Sequence, residues 1–418
     1  MEYKKLSLGG YNLHLIKTDK FKISHVEVIF HNNVEIDNIT KRQMLTRMLA
    51  DSNNTYKTNR KLNLKLEDLY DASYYAFTSK VGNSFVTNFA VDFLNPEYTE
   101  KTLPKETIKF LFDMILNPNV NISEFDNKTF DIVKGKIKDN INLISEDPKR
   151  LSVLNALKYL GNTPSAYSNL GDIKSLDEIT PNNLYEYYLN MLKNDYIDIF
   201  VVGNLDMEEI TKYIIEYAKF NVIKNHIVNM HVDNKKIKEK AYSNNIRSVQ
   251  SNIVMILNLN NLTEYEERYV ANLYNIILGQ SSVQNKLFRK LREENSLCYS
   301  ISSYYQKYDG LILITTGVDH NSSNKAIKLI KDCLKEMTNN ISDEEINNAK
   351  EQILTSLTYA KDSLDRIIDN YFYLSLGEID DIDTRIKIFK EISKEDIYAL
   401  SKKISISVIY TLEGGTNE

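Results

Sequence analysis

The order of sequence patterns in the first 220 residues recurs after residue 247, and this repeat limits the possible folds more than any single motif does. Residues 25–30 alternate, with Val26, Val28 and Phe30 on one side of a predicted strand. Residues 41–50 follow, with Met44, Leu45, Met48 and Leu49 at helical spacing. Residues 252–257 and 267–278 read the same way. The segment 73–93, turning at Gly82, matches 299–318, turning at Gly310. Farther on, Phe125 and Ile132 lie seven residues apart after Ser123, as Ile346 and Ile353 do after Ser342, and each serine is placed to cap a helix. Thr180-Pro181 and Ser393-Lys394 each open a helix that leads to a buried strand, and these strands end at Gly203 and Gly414. A shared order of this length predicts an α+β chain of two homologous domains, each a mostly antiparallel sheet with helices packed on one face. The expected bounds are 1–225 and 247–418, joined by a polar, Lys- and Asn-rich linker at 226–246 that carries an edge strand.

Composition removes several function classes. The 418 residues hold 52 Lys+Arg against 57 Asp+Glu, a net charge of −5, which disfavours a nucleic-acid partner. Cys298 and Cys333 are the only cysteines, so neither a disulfide scaffold nor a CxxC site exists. The first residues lack the apolar stretch of a signal peptide, and no run approaches the ~18 apolar residues of a membrane span, so the expected location is cytoplasmic, with no membrane partner. Neither GxxxxGK[ST] nor GxGxxG nor G-x-S-x-G occurs. Gly279-Gln280-Ser281-Ser282 reads as a helix–helix turn rather than an anion nest.

The six histidines are His14, His25, His31, His226, His231 and His320, and none adjoins a glutamate. Both H-E-x-x-H and its inverse H-x-x-E-H are therefore absent. His25, Glu27 and His31 share one strand face and are expected to be solvent-side polar residues, and His226 with His231 lacks a ligand spacing. The most distinctive string runs from Asn285 to Tyr299. It is an amphipathic helix, with Leu287, Phe288 and Leu291 inward, turning into a strand. By itself, Arg292 reads as a surface helix arginine and Tyr299 as an ordinary strand aromatic.

The repeat and this string together resemble the pitrilysin/insulinase family of zinc peptidases, in the short branch that includes the mitochondrial processing peptidase. The resemblance spans nearly the whole chain. Its motifs are Leu287-Phe288-Arg289-Lys290-Leu291-Arg292 leading to Leu297 and Tyr299, the segment from Tyr167 to Ile173, and the strand Asp198-Ile199-Phe200-Val201-Val202-Gly203-Asn204. In active members a helix of the first domain carries H-x-x-E-H, in which two His bind Zn²⁺ and the Glu is general base, and a Glu on a later helix completes the set. By resemblance those positions fall here on Gln43, Thr46 and Arg47, with the last near Lys136. Arg47 and Lys136 would place positive charge where the metal sits in active relatives.

The family's second domain supplies an Arg and a Tyr that hold substrate and steady the oxyanion, and this chain keeps both as Arg292 and Tyr299. The resemblance thus implies a non-catalytic subunit that binds no metal itself. It would pair with a zinc-bearing homologous peptidase subunit and lend Arg292 and Tyr299 to hydrolysis of a peptide or small unfolded protein. The competing expectation is a peptidase-derived scaffold with no part in catalysis. An independent zinc peptidase would require a ligand set that the sequence does not contain.

Overall fold

The structure, a computed structural model, describes residues 1–221, 228–233, 238–280 and 285–415. His226, Ser281 and Ser282 lie outside them, and with them the expected turn at 279–282. The first repeat runs β1 (Glu2–Ser7), β2 (Asn12–Lys17), β3 (Ile23–Asn33), α1 (Ile39–Asp51), α2 (Asn59–Asp68), β4 (Ser73–Val81), β5 (Ser84–Leu94) and α3 (Leu103–Leu116). A small hairpin, β6 (Val120–Asn121) with β7 (Glu124–Phe125), precedes α4 (Asn127–Glu146) and α5 (Pro148–Leu157). Then come α6 (Ile173–Asp177), α7 (Pro181–Asn194), β8 (Tyr196–Gly203) and α8 (Met207–Tyr217).

The second repeat begins with β9 (Lys240–Arg247) and β10 (Gln250–Leu259). A π-helical turn, Glu266–Val270, continues into α9 (Ala271–Leu278), and α10 (Lys286–Phe288) continues into a second such turn, Arg289–Glu293. After β11 (Cys298–Gln306) and β12 (Leu311–Asp319) come α11 (Ser323–Glu336), α12 (Asp343–Tyr359), α13 (Leu364–Ser375), α14 (Ile382–Glu391), α15 (Lys394–Ser401) and β13 (Ile404–Gly415).

The two main sheets have one topology. The order β2-β8-β3-β5-β4 in the first is β9-β13-β10-β12-β11 in the second, and β1 adds a hairpin edge to the first. In each, the one parallel pair is the same, β2 on β8 and β9 on β13. The edge strand expected within the polar linker is β9. The glycines that close the repeats serve a close approach. A Cβ on Gly203 would lie 2.1 Å from Ser24 Oγ on β3, and one on Gly414 would lie 2.5 Å from the Gln250 carbonyl oxygen on β10.

The chain packs as two compact units, Met1–Asn142 with Ser168–Met230, and Leu143–Tyr167 with His231–Glu418. A single cut in the chain therefore does not separate them. In the first, Val26, Val28 and Phe30 of β3 are fully buried with Met44, Leu45 and Leu49 of α1 and Ile108 and Leu111 of α3. In the second, Ile253, Met255 and Leu257 of β10 pack with α9, α11 and α12. The other face of this second sheet is covered by Ala156 and Leu160, from the 143–167 segment, lying on Val254, Ile256, Leu313 and Tyr410.

Two expectations are corrected. Ser123 does not cap α4, because the β6–β7 hairpin delays the helix. Asp126 does, its carboxylate accepting from the Thr129 amide at 2.9 Å. The buried pair seven residues apart on α4 is then Phe130 and Ile137, matching Ile346 and Ile353, whereas Ile132 is 48% exposed. Nor are His25, Glu27 and His31 on a solvent side, since all three are buried. Alternation assigns them to one face but cannot say whether that face is wet. They are tolerated because neighbouring strands supply partners. His25 lies 2.5 Å from Asp92, Glu27 accepts from Asn88 at 2.5 Å, and His31 and His14 flank Asp198 at 2.8 Å each. Burial alone would lower the His25 pKa, but its bonds to Asp92 and Glu27 outweigh that and push it up to about 9.

Candidate functional site

α1 is fixed from both ends of its inner face. Arg42 is 1% exposed and forms an ion pair with Asp195 at 2.6 Å, while its Nε donates to Thr87 Oγ1 at 2.6 Å. Neither Arg42 nor Asp195 stands out in the sequence, because nothing local marks a pair 153 residues apart. One residue on, the Gln43 amide donates to the Thr78 carbonyl on β4 at 3.4 Å. The buried Thr46 hydroxyl donates to the Arg42 carbonyl at 2.8 Å, a bond internal to the helix. Arg47 is exposed. α4 brings Lys136 beside the end of α1, with Nζ 3.6 Å from Asp51 Oδ1.

These positions do not fit Zn²⁺. Zinc is held by imidazole, thiolate or carboxylate, and this set offers an amide, a hydroxyl spent on backbone and two cations. Two positive side chains also repel a dication. Among the described residues no group of three or more His, Cys, Asp or Glu is placed to hold a metal.

Arg292 and Tyr299 are brought together. The π-helical turn ends the helix early, and Ser296 turns the chain with φ +50°. The Leu297 amide then donates back to the Leu291 carbonyl at 2.9 Å, aiming the chain into β11. The pairing of β11 with β12 shifts register between Cys298 and Ile301, so Tyr299 and Ser300 bulge out of the ladder. Tyr299 is consequently 83% exposed although it lies on a strand. The Arg292 guanidinium stands over the Tyr299 ring, 4.9 Å from its centroid, and Nη1 donates to the Cys298 carbonyl at 3.3 Å. Stacking on the ring and this one bond hold the fork in place.

Residues 178–353 match the family model described as "Peptidase M16 inactive domain". The chain is 26% identical over 416 residues to the "Probable inactive metalloprotease YmfF" of Bacillus subtilis, covering 97% of this chain and 96% of that one. It is 24% identical over 297 residues to the "Uncharacterized zinc protease YmxG" of the same organism, covering 68% and 69%. In fold it is similar to a conserved protein from Enterococcus faecalis V583, with a TM-score of 0.91, 24% identity and coverage of 100% and 99%. No helix among the described residues is long and apolar enough to cross a membrane. The duplicated fold, the family-model match and the full-length likeness to a probable inactive metalloprotease agree, and they make the chain similar to the M16 (pitrilysin/insulinase) peptidases in their two-domain form, with the zinc-binding motif absent from its sequence.

Proposed function

We propose that this chain is the non-catalytic subunit of a two-chain zinc metallopeptidase, lending Arg292 and Tyr299 to a zinc-bearing relative that hydrolyses peptides. One observation carries the reading: an arginine stacked at 4.9 Å on a tyrosine that a strand bulge holds out to solvent, in a chain whose matching metal positions do not fit Zn²⁺. The guanidinium would donate to a substrate carbonyl oxygen and to the oxyanion that develops there, with the Tyr299 hydroxyl as a second donor. The relatives in Bacillus subtilis support the pairing, since one is described as a "Probable inactive metalloprotease" and another as an "Uncharacterized zinc protease".

The test mixes the chain with an M16 relative that carries H-x-x-E-H. Zinc content and hydrolysis of a quenched fluorescent peptide are measured for each alone and for both together. Hydrolysis should need both chains, and Arg292→Ala should lower turnover by a factor of ~10²–10³ with assembly and zinc unchanged. Arg292→Lys should recover little, because a point charge lacks the planar fork. Normal turnover in Arg292→Ala and Tyr299→Phe would reduce the chain to a scaffold. Tightly bound zinc in the isolated chain, lost together with activity on chelation, would overturn the reading altogether.

A further inference from the structure

The second unit contains a cavity of about 470 Å³, walled by the turn leading into α9, by α12 and by α14. It holds three cationic side chains, Arg268, Lys307 and Arg385, against one carboxylate, Asp380. Two of the cations are already paired. Arg268 meets Glu264 at 2.6 Å and Asp380 at 3.4 Å, and Lys307 meets Glu378 at 3.3 Å. Asp380 also takes the Tyr269 hydroxyl.

Arg385 differs. Its Nη1 donates to Asn370 Oδ1 at 2.8 Å, a neutral acceptor, and among the described residues it forms no ion pair. Burial in the cavity wall lowers its pKa, with Tyr269, Asp380 and Asp381 opposing this only at longer range. A half-buried guanidinium whose nearest carboxylates, Asp380 and Asp381, form no direct ion pair with it is only partly offset, and an anionic ligand on the fork supplies the contact they do not. Beside it the cavity floor is apolar, formed by the buried Ile353, Leu357 and Phe389.

The position within the repeat points the same way. α9 follows β10 as α1 follows β3, and the lining residue Gln352 is the tenth after the Ser342 cap, as Lys136 is the tenth after the Asp126 cap. The cavity therefore occupies, in the second repeat, the place of the degenerate metal positions in the first.

We propose that this cavity binds a small organic carboxylate with an apolar side chain, its carboxylate on the Arg385 fork and its side chain on Ile353, Leu357 and Phe389. The fork favours a planar carboxylate taken bidentately, and the volume suits a ligand of one or two amino-acid residues. Two sources share this chemistry, a free acylated amino acid and the C-terminus of a short peptide. The inference is independent of any zinc-bearing partner, because the isolated chain contains the whole cavity.

Calorimetric titration of the isolated full chain tests it with four probes: N-acetyl-leucine, N-acetyl-leucyl-leucine, the C-terminal amide of the latter, and inorganic phosphate. Both acids should bind, the amide about tenfold or more weakly, as expected for loss of a charge-assisted pair. Tighter binding of the dipeptide acid identifies a peptide end, and equal binding identifies the single residue. Arg385→Gln should weaken the acids to the level of the amide and leave the amide itself unchanged. Ser356→Trp, a change at an exposed rim position that leaves the core intact, should block all binding without lowering Tm. No binding of either acid, an amide as tight as its acid, phosphate as tight as the acids, or wild-type binding by Arg385→Gln would each overturn the proposal.

Discussion

Replacing Arg42 with methionine should cost the first unit about 3–5 kcal/mol, far more than the intact ion pair contributes. Methionine keeps much of the buried stem, so the packing loss is small. The cost arises at the partner. Asp195 is 3% exposed, and without Arg42 the side-chain donor left to it among the described residues is the Asn32 amide at 3.2 Å. Thr87 also loses the donor at 2.6 Å. A buried carboxylate left with one neutral donor keeps its full desolvation penalty and loses the charge that offset it. Arg42→Met combined with Asp195→Asn should therefore recover most of the loss, with a coupling near the upper end of the ~0.5–3 kcal/mol seen for contacting residues. Urea unfolding followed by far-UV circular dichroism measures the loss, and hydrogen exchange at the α1 amides assigns it to the first unit. A loss below ~1 kcal/mol, or a double variant as unstable as the sum of the two singles, would refute the argument.

Restoring the family's ligand set with Gln43→His, Thr46→Glu, Arg47→His and Lys136→Glu should create a site for one zinc per chain, read by elemental analysis, whereas the wild type should retain none after dialysis. If the fourfold variant folds and stays zinc-free, the assignment of those four positions is wrong. His231 should give a pH-dependent contribution to the second unit. Hydrogen bonds to Glu267 and Glu378 push its pKa up to about 9, so the stabilisation is fully present below the unfolded value of ~6.5 and is lost as pH rises through about 9. The difference in urea midpoint between wild type and His231→Gln should shrink over that window and vanish above it. A constant difference up to pH 10 would contradict this.

The repeat was legible because caps and turns are local chemistry. Thr180, Ser342 and Ser393 each cap the helix they were expected to open, all three through a capping box, and Gly82 and Gly310 both turn with positive φ. Ser123 misled because a capping residue is recognised by type, while the two-residue hairpin that displaces it carries almost no pattern. The adjacency of Arg292 and Tyr299 came from resemblance, and the strand bulge that makes Tyr299 stand out has no sequence signature of its own. The same limit hid Arg42 and Asp195, as well as the basic cavity around Arg385, whose walls come from four separated stretches of chain.

The placement of α5 has a consequence for biosynthesis. This helix leaves the ribosome in the middle of the first repeat, yet its segment packs on β10 and β13, and Asn155 donates to the Tyr410 hydroxyl at 3.1 Å across 255 residues. At ~5–20 residues per second, α5 waits for β13 for roughly ten seconds to a minute. Throughout that interval Ala156 and Leu160 lack the surface that will cover them. The second unit cannot close until nearly all of the chain has been made, and a nascent chain stalled before β13 would leave this segment uncovered for chaperones to hold.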